Sequence, residues 1–200
     1  MSSPPARSAL ADPLVLAAMI LIAALTRLLP HPPNFSPVAA LGLFAAAHFV
    51  HRGWAVAVPL IALLLSDIAL GVASGMLGLG WSPDTMLYAE YMLSLQSLGI
   101  YASMLLAGLP GFLLRGRASA ANVLGTCVAS ALIFYAASNG VAWLAARPGE
   151  PCAAGPGACY VAGLPFLKWT LAGTLVYGAA LFGGFAMLRA GLPTLRPQTV

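Results

Sequence analysis

Between Pro30 and Pro37 the chain places four prolines within eight residues, with strongly apolar runs on either side. Each proline fixes φ and removes a backbone donor, so no helix can pass through this stretch, and residues before proline are pushed toward extended geometry. The segment Arg27 to Phe44 reads Arg-Leu-Leu-Pro-His-Pro-Pro-Asn-Phe-Ser-Pro-Val-Ala-Ala-Leu-Gly-Leu-Phe. It predicts two helices joined by a rigid extended link. His31, Asn34, Phe35 and Ser36 ride on that link, which is expected to hold them in fixed geometry as a roof over whatever the apolar runs build.

The nature of those runs follows from how few charges interrupt them. Hydrophobic residues make up 60% of the 200 residues and charged ones 7%, a balance that a soluble domain of this size cannot carry on its surface. The chain therefore reads as an integral membrane protein. A spanning helix needs roughly 20 apolar residues, and six candidates fit: 13–29, 36–50, 54–77, 86–109, 118–146 and 159–188. The second is short and crosses only if it borrows from the link or lies in a protein-lined region. The expected architecture is an all-α bundle of six transmembrane helices in one domain, 13–188, with a leader at 1–12 and a tail at 189–200. Arg7 ahead of an apolar run has the look of a signal peptide, but no small-x-small cleavage site precedes a soluble domain.

The net charge of +4 is spread over single basic residues, with no cluster suited to nucleic acid. It reads instead as topology. With six spans, Arg7, Arg52, Arg115, Arg117, Arg189 and Arg196 share one side, while Arg27 and Arg147 fall on the other. The richer side is expected to be cytoplasmic, with both termini inside. The links around His31, Trp81 and Cys152 then face outward.

Ionisable groups within hydrocarbon are costly and mark a site or a paired network. Here they are Arg27, His48, Asp67, Glu90 and Lys168, joined by Gln96 and Asn139. At 1.5 Å per residue most of them fall in the outer half of their spans, and His48 falls toward the cytoplasm. Such a one-sided distribution suits a cavity open to the outside and sealed by an apolar inner half. Glu90, Ser94, Ser97 and Tyr101 share one helical stripe, as do Thr170, Thr174 and Tyr177. Serine and threonine at such positions are read first as interhelical hydrogen bonds. Lys168 points to a different face from Thr170, either toward Asp67 or Glu90 or outward to the interface. Trp81 and Tyr88 are interface anchors or stacking surfaces. Ala121, Gly125 and Ala129, like Ala180 and Gly184, have the spacing of packing seams.

Three cysteines are too few for a disulfide framework. Cys152 and Cys159 can pair if their loop faces an oxidising compartment, and Cys127 reads as packing. No phosphate-binding loop ends in Gly-Lys-Ser/Thr, no His-Glu-x-x-His occurs, and no Gly-x-Ser-x-Gly elbow surrounds Ser138.

The Arg27 to Phe44 segment comes with Pro59-Leu-Ile-Ala-Leu-Leu-Leu-Ser-Asp67-Ile-Ala-Leu-Gly71, Ser138-Asn139-Gly140-Val-Ala-Trp143 and Cys159-Tyr160-x-x-Gly-Leu-Pro-Phe166. Together they resemble a family of bacterial six-helix membrane proteins of unassigned function. That family is in turn similar to the substrate-binding S components of energy-coupling-factor (ECF) vitamin transporters, including the solitary cobalamin-type members. The resemblance covers residues 13 to 188. It implies an outward-facing, vitamin-sized pocket capped by loops, with cobalamin among the candidate ligands and an energising ABC-type module as a candidate partner. S components dock on that module through an Ala-x-x-x-Ala pattern in the first helix, which 13–29 lacks. Cobalamin-type members are expected to offer a metal-ligating thiol in the pocket, and no cysteine lies in or just after the third span.

The function expected is uptake of a small vitamin-like metabolite from the periplasmic side. Substrate-binding residues are His31, Asn34, Phe35, Asp67, Glu90, Asn139 and Lys168, with His31, Asn34 and Phe35 closing the lid. No catalytic residue, metal or cofactor is assigned. Two rivals remain: an intramembrane enzyme using His31 or Cys159 on a lipid or envelope substrate, and a structural assembly subunit whose polar residues are all internally paired.

Overall fold

A computed structural model describes residues 8–77 and 94–192, with side chains for 13–72 and 94–192. The regular elements within them are all helical. α1 (Ser8–Leu25) ends in a 3-10 turn, Thr26–Leu28, and the proline link leads to α2 (Val38–His48). α3 (Arg52–Leu77) follows, then α4 (Leu95–Gly108), which continues as a 3-10 segment, Leu109–Leu114. α5 (Ala120–Leu144) is joined through a short 3-10 turn, Pro151–Ala154, to α6 (Pro156–Gly178). A π-helical turn, Ala179–Gly183, carries α6 into α7 (Gly184–Gly191).

The link breaks the chain as its prolines dictate. The Phe35 amide donates to the Pro32 carbonyl at 3.0 Å. Pro33 and Asn34 sit between them, with Asn34 at φ 65°. Proline followed by a residue at positive φ is the type II turn signature, and asparagine is among the few residues that enter this region cheaply. Ser36 Oγ then accepts from the Val38 amide as α2 begins.

α2 is the central element and touches every other helix. Its eleven residues reach roughly 16 Å, about half a hydrocarbon core. Ala39 through Ala46 are all buried. Such a helix needs small neighbours: a Cβ on Gly42 would stand 3.0 Å from the Gly108 backbone of α4. Its last carbonyls are met by one side chain. Arg115 donates from Nε to Ala46 O at 2.9 Å and from Nη2 to Phe49 O at 2.6 Å. A cation on orphan C-terminal carbonyls is favoured by hydrogen bonding and by the helix dipole alike.

Among the described residues, four helical stretches have the length and apolar character to cross a bilayer: Arg52–Val72, Leu95–Leu114, Ala120–Leu144 and Pro156–Gly191. The stretches Pro13–Leu28 and Val38–His48 are apolar but shorter. Against the six spans expected, the described residues build an all-α bundle of six main helices, four of them of spanning length. The fourth helix starts at Leu95 rather than Met86. Ser94 is its N-cap, in extended geometry, with its Oγ accepting from Ser97 N at 3.1 Å. An N-cap lies outside the helix, so Ser94 does not continue the stripe of Ser97 and Tyr101.

Two expectations about packing are corrected. Ala121 and Gly125 are exposed, and a Cβ on Gly125 would meet nothing within 4 Å. The close approaches fall instead at Gly42, Gly99, Gly108, Gly111, Gly163, Gly173 and Gly178, whose spacing follows no single motif. The buried Thr170 and Thr174 hydroxyls donate to Phe166 O and Thr170 O, within their own helix rather than across to a neighbour. Ser130 does cross, from α5 to Ala107 O of α4 at 2.6 Å.

Candidate functional site

The 3-10 turn that ends α1 places Arg27 against α3. Its Nη1 meets Asp67 Oδ1 at 2.5 Å and donates to Ser66 Oγ at 2.6 Å. Ser66 is fully buried and spends its own proton on Leu63 O at 2.8 Å, so it acts toward Arg27 purely as an acceptor. Asp67 Oδ2 accepts from the Tyr101 hydroxyl of α4 at 2.5 Å. Three helices are thus tied through one carboxylate. The Arg27 and Asp67 side chains keep only 19% and 15% of their surface, where a charged pair escapes most solvent screening.

Beside this pair lies an aromatic edge. Thr26 Oγ1 donates to Ala23 O at 2.6 Å and stands 2.7 Å from the Tyr177 hydroxyl. With the Thr26 proton committed, Tyr177 must be the donor. The Tyr177 ring packs on Phe35 at 5.9 Å between centroids. A Cβ on Gly173 would collide with the backbone of Ser36, so the link rests directly on α6.

These contacts set the depth of the link. Gly173 stands seventeen residues beyond the start of α6 at Pro156, roughly 25 Å along the axis. Asp67 lies ten residues before the end of α3 and Tyr101 six beyond the start of α4, roughly 15 Å and 9 Å from those ends. The proline link therefore packs well along α6, away from its Pro156 end, and alongside Thr26 and Arg27. His31 and Asn34 are exposed on it, and His31 Nδ1 stands 3.0 Å from Pro32 O.

The other expected site residues lie elsewhere. Asn139 is half-buried in the α5–α6 seam, donating from Nδ2 to Tyr135 O at 2.8 Å and packing on Gly163. Lys168 is exposed, with Nζ 5.3 Å from the Trp169 ring centroid. It stands about 160° around α6 from the buried Thr170, which turns it away from Asp67 and corrects its place in the site. Glu90, Trp81 and Tyr88 lie outside the described residues. Gln96 is exposed on the first turn of α4. His48 stacks with Phe44 and Phe185 at the opposite end of the bundle.

Arg27, Ser66, Tyr101, Thr26 and Tyr177 complete the cluster without having been assigned to it. Arg27, Tyr101 and Tyr177 carried a signal, the first as an intramembrane charge and the two tyrosines as parts of stripes. Ser66 and Thr26 differ in no sequence property from other hydroxyls in the spans, and only the folded contacts single them out. Cys159 is buried and bonded to Cys152, so neither offers a thiol. The Tyr135 hydroxyl donates to Tyr160 O and the Tyr160 hydroxyl to Ala136 O, which clasps α5 to α6 beside the disulfide. Among the described residues no three His, Cys, Asp or Glu side chains gather as a metal site. A separate apolar cleft of about 80 Å³ lies near the Arg115 end, lined by Gly42, Ala46, Pro59, Met104 and Phe112.

No curated protein and no solved structure matches this chain. The sequence does match one family over residues 7–195, nearly its whole length and all of the helices that hold the cluster. The chain accordingly belongs to a family of unknown function, DUF6580.

Proposed function

We propose that this protein binds a small polar or amphipathic metabolite at the Arg27–Asp67 cluster, reached from the disulfide end of the bundle, and carries it across the membrane. The observation that carries the reading is the convergence of Arg27, Asp67 and Tyr101 from three helices, well below the ends of the long ones. A charge pair that served only to brace helices has no need of a recessed position beside a rigid link that carries exposed polar side chains.

The Cys152–Cys159 disulfide supports an outward orientation for this end, since such bonds persist in oxidising compartments. The excess of arginine toward the other end supports the same orientation, with both termini cytoplasmic and six crossings in a bacterial inner membrane. The resemblance to ECF S components points to a vitamin-like ligand, with or without an ABC-type module. The enzyme alternative is weakened because Cys159 is committed to a disulfide and His31 meets only a backbone carbonyl.

Uptake by cells expressing the protein, across a vitamin and metabolite panel, tests the reading. Asp67→Ala is expected to abolish uptake while membrane insertion persists. Unchanged uptake in that variant would remove the cluster from the transport path.

A further inference from the structure

We propose that the group recognised at this site is a carboxylate, and that the ligand is a small amphipathic monocarboxylate held by the outer edge of Arg27. The inference rests on the reading of the cluster as a ligand site and names the class of ligand.

A guanidinium has five N–H donors in a rigid plane. In Arg27 the Nη1 corner alone is committed, to Ser66 Oγ and Asp67 Oδ1. Nε and Nη2 make no hydrogen bond among the described residues. Their two N–H vectors run parallel along one edge, the fork that grips both oxygens of a carboxylate at once. The side chain keeps 19% of its surface open, so a ligand can reach it.

The fork is also preorganised. Ser66 and Asp67 hold the plane from the opposite corner, and the Tyr101 hydroxyl holds Asp67. A bound carboxylate would therefore find its receptor already oriented, and it would sit on the edge turned away from Asp67, where like-charge repulsion is least. One guanidinium shared with one carboxylate has little charge left for a dianion, which favours a monoanion over a phosphate monoester. Phe35 against Tyr177, with the exposed Leu28 and Leu29 nearby in sequence, offers an apolar surface for the remainder of the molecule.

The test compares matched acids and amides on the full-length protein in nanodiscs of phosphatidylcholine: benzoate with benzamide, and nicotinate with nicotinamide. At about 50 mM, far above a millimolar Kd, the acids are expected to raise the melting temperature by about 5 °C and the amides by less than about 1 °C. Arg27→Lys retains the charge and a partner for Asp67 but loses the fork. It is expected to melt near the wild-type temperature and to lose the difference between acid and amide. Equal shifts from both members of each pair overturn the carboxylate while leaving small-molecule binding in place. The absence of any shift with the acids also overturns it, and the Asp67→Ala uptake experiment then decides the wider reading on its own. Replacing the lipid by phosphatidylglycerol separates the sources: a stabilisation that follows the lipid, with no response to the acids, assigns the edge to a headgroup and overturns the soluble ligand.

Discussion

Arg27 and Asp67 stabilise each other only as a pair. Both have left most of the solvent behind, so removing Asp67 leaves the Arg27 charge in a low-dielectric layer without its carboxylate. Asp67→Ala is expected to cost about 3 kcal/mol in a detergent unfolding titration. The double variant Arg27→Met/Asp67→Leu is expected to recover most of that loss, because no charge is left unpaired. A double variant no more stable than Asp67→Ala would mean that the site depends on its charges for the fold itself. Asn34 makes a different demand. Its φ of 65° is allowed for asparagine and easy for glycine. Asn34→Gly should leave the melting temperature within about 1 °C, whereas Asn34→Val should cost about 1–2 kcal/mol through strain in the turn. That contrast gives Asn34 a backbone role, distinct from the ligand contact expected of it from sequence.

At the scale of single elements, α2 is unusual in being short, central and almost entirely buried. A helix in that position has no water for its last carbonyls, so a partner must come from the protein. Arg115 supplies it from the end of the 3-10 segment that follows α4. Replacing Arg115 with methionine keeps the stem and deletes the donors. The expected cost is about 2 kcal/mol, read as a lower thermal midpoint in detergent. Arg115→Lys should recover part of it, since one ammonium cannot span both carbonyls as the guanidinium does. The α2–α4 contact is equally specific. Gly108→Val would thrust a branched side chain into the Gly42 backbone, and it is expected to impair folding far more than Gly125→Val, where the added side chain meets open space.

Across the whole molecule, the disulfide and the arginines Arg52, Arg115, Arg117 and Arg189 mark opposite ends. Cys152 and Cys159 close a loop of seven residues, for which the chain-entropy argument gives about 2 kcal/mol of stabilisation. Reduction should lower the stability by that amount, read as a lower melting temperature, without dissolving the bundle, whose other helices make no use of the bond. The same cysteines report orientation. After reduction, a membrane-impermeant maleimide added to intact spheroplasts is expected to label the partly exposed Cys152, while the buried Cys127 stays unlabelled. Labelling that requires permeabilised membranes would invert the proposed topology and move the cluster to the cytoplasmic half.

How much of this was legible in the chain differs by kind of contact. Long apolar runs can only be buried or placed in lipid, and prolines stop a helix wherever they stand, so the all-α membrane class and the break at Pro30–Pro37 follow from local chemistry. Asp67 was legible as well, because a carboxylate in a run of leucines has to have a partner. Its actual partners were not. Arg27 and Tyr101 lie 40 residues before it and 34 after it, and no periodicity within one helix says which face of another it will meet. Lys168 was placed in the site by depth alone, and packing turned it out of the bundle. The depth of the link was likewise set by tertiary structure. Nothing local to His31 or Asn34 says where along its neighbours the link will pack; the contacts of Ser36 with Gly173 and of Phe35 with Tyr177 do, since they seat it well along α6.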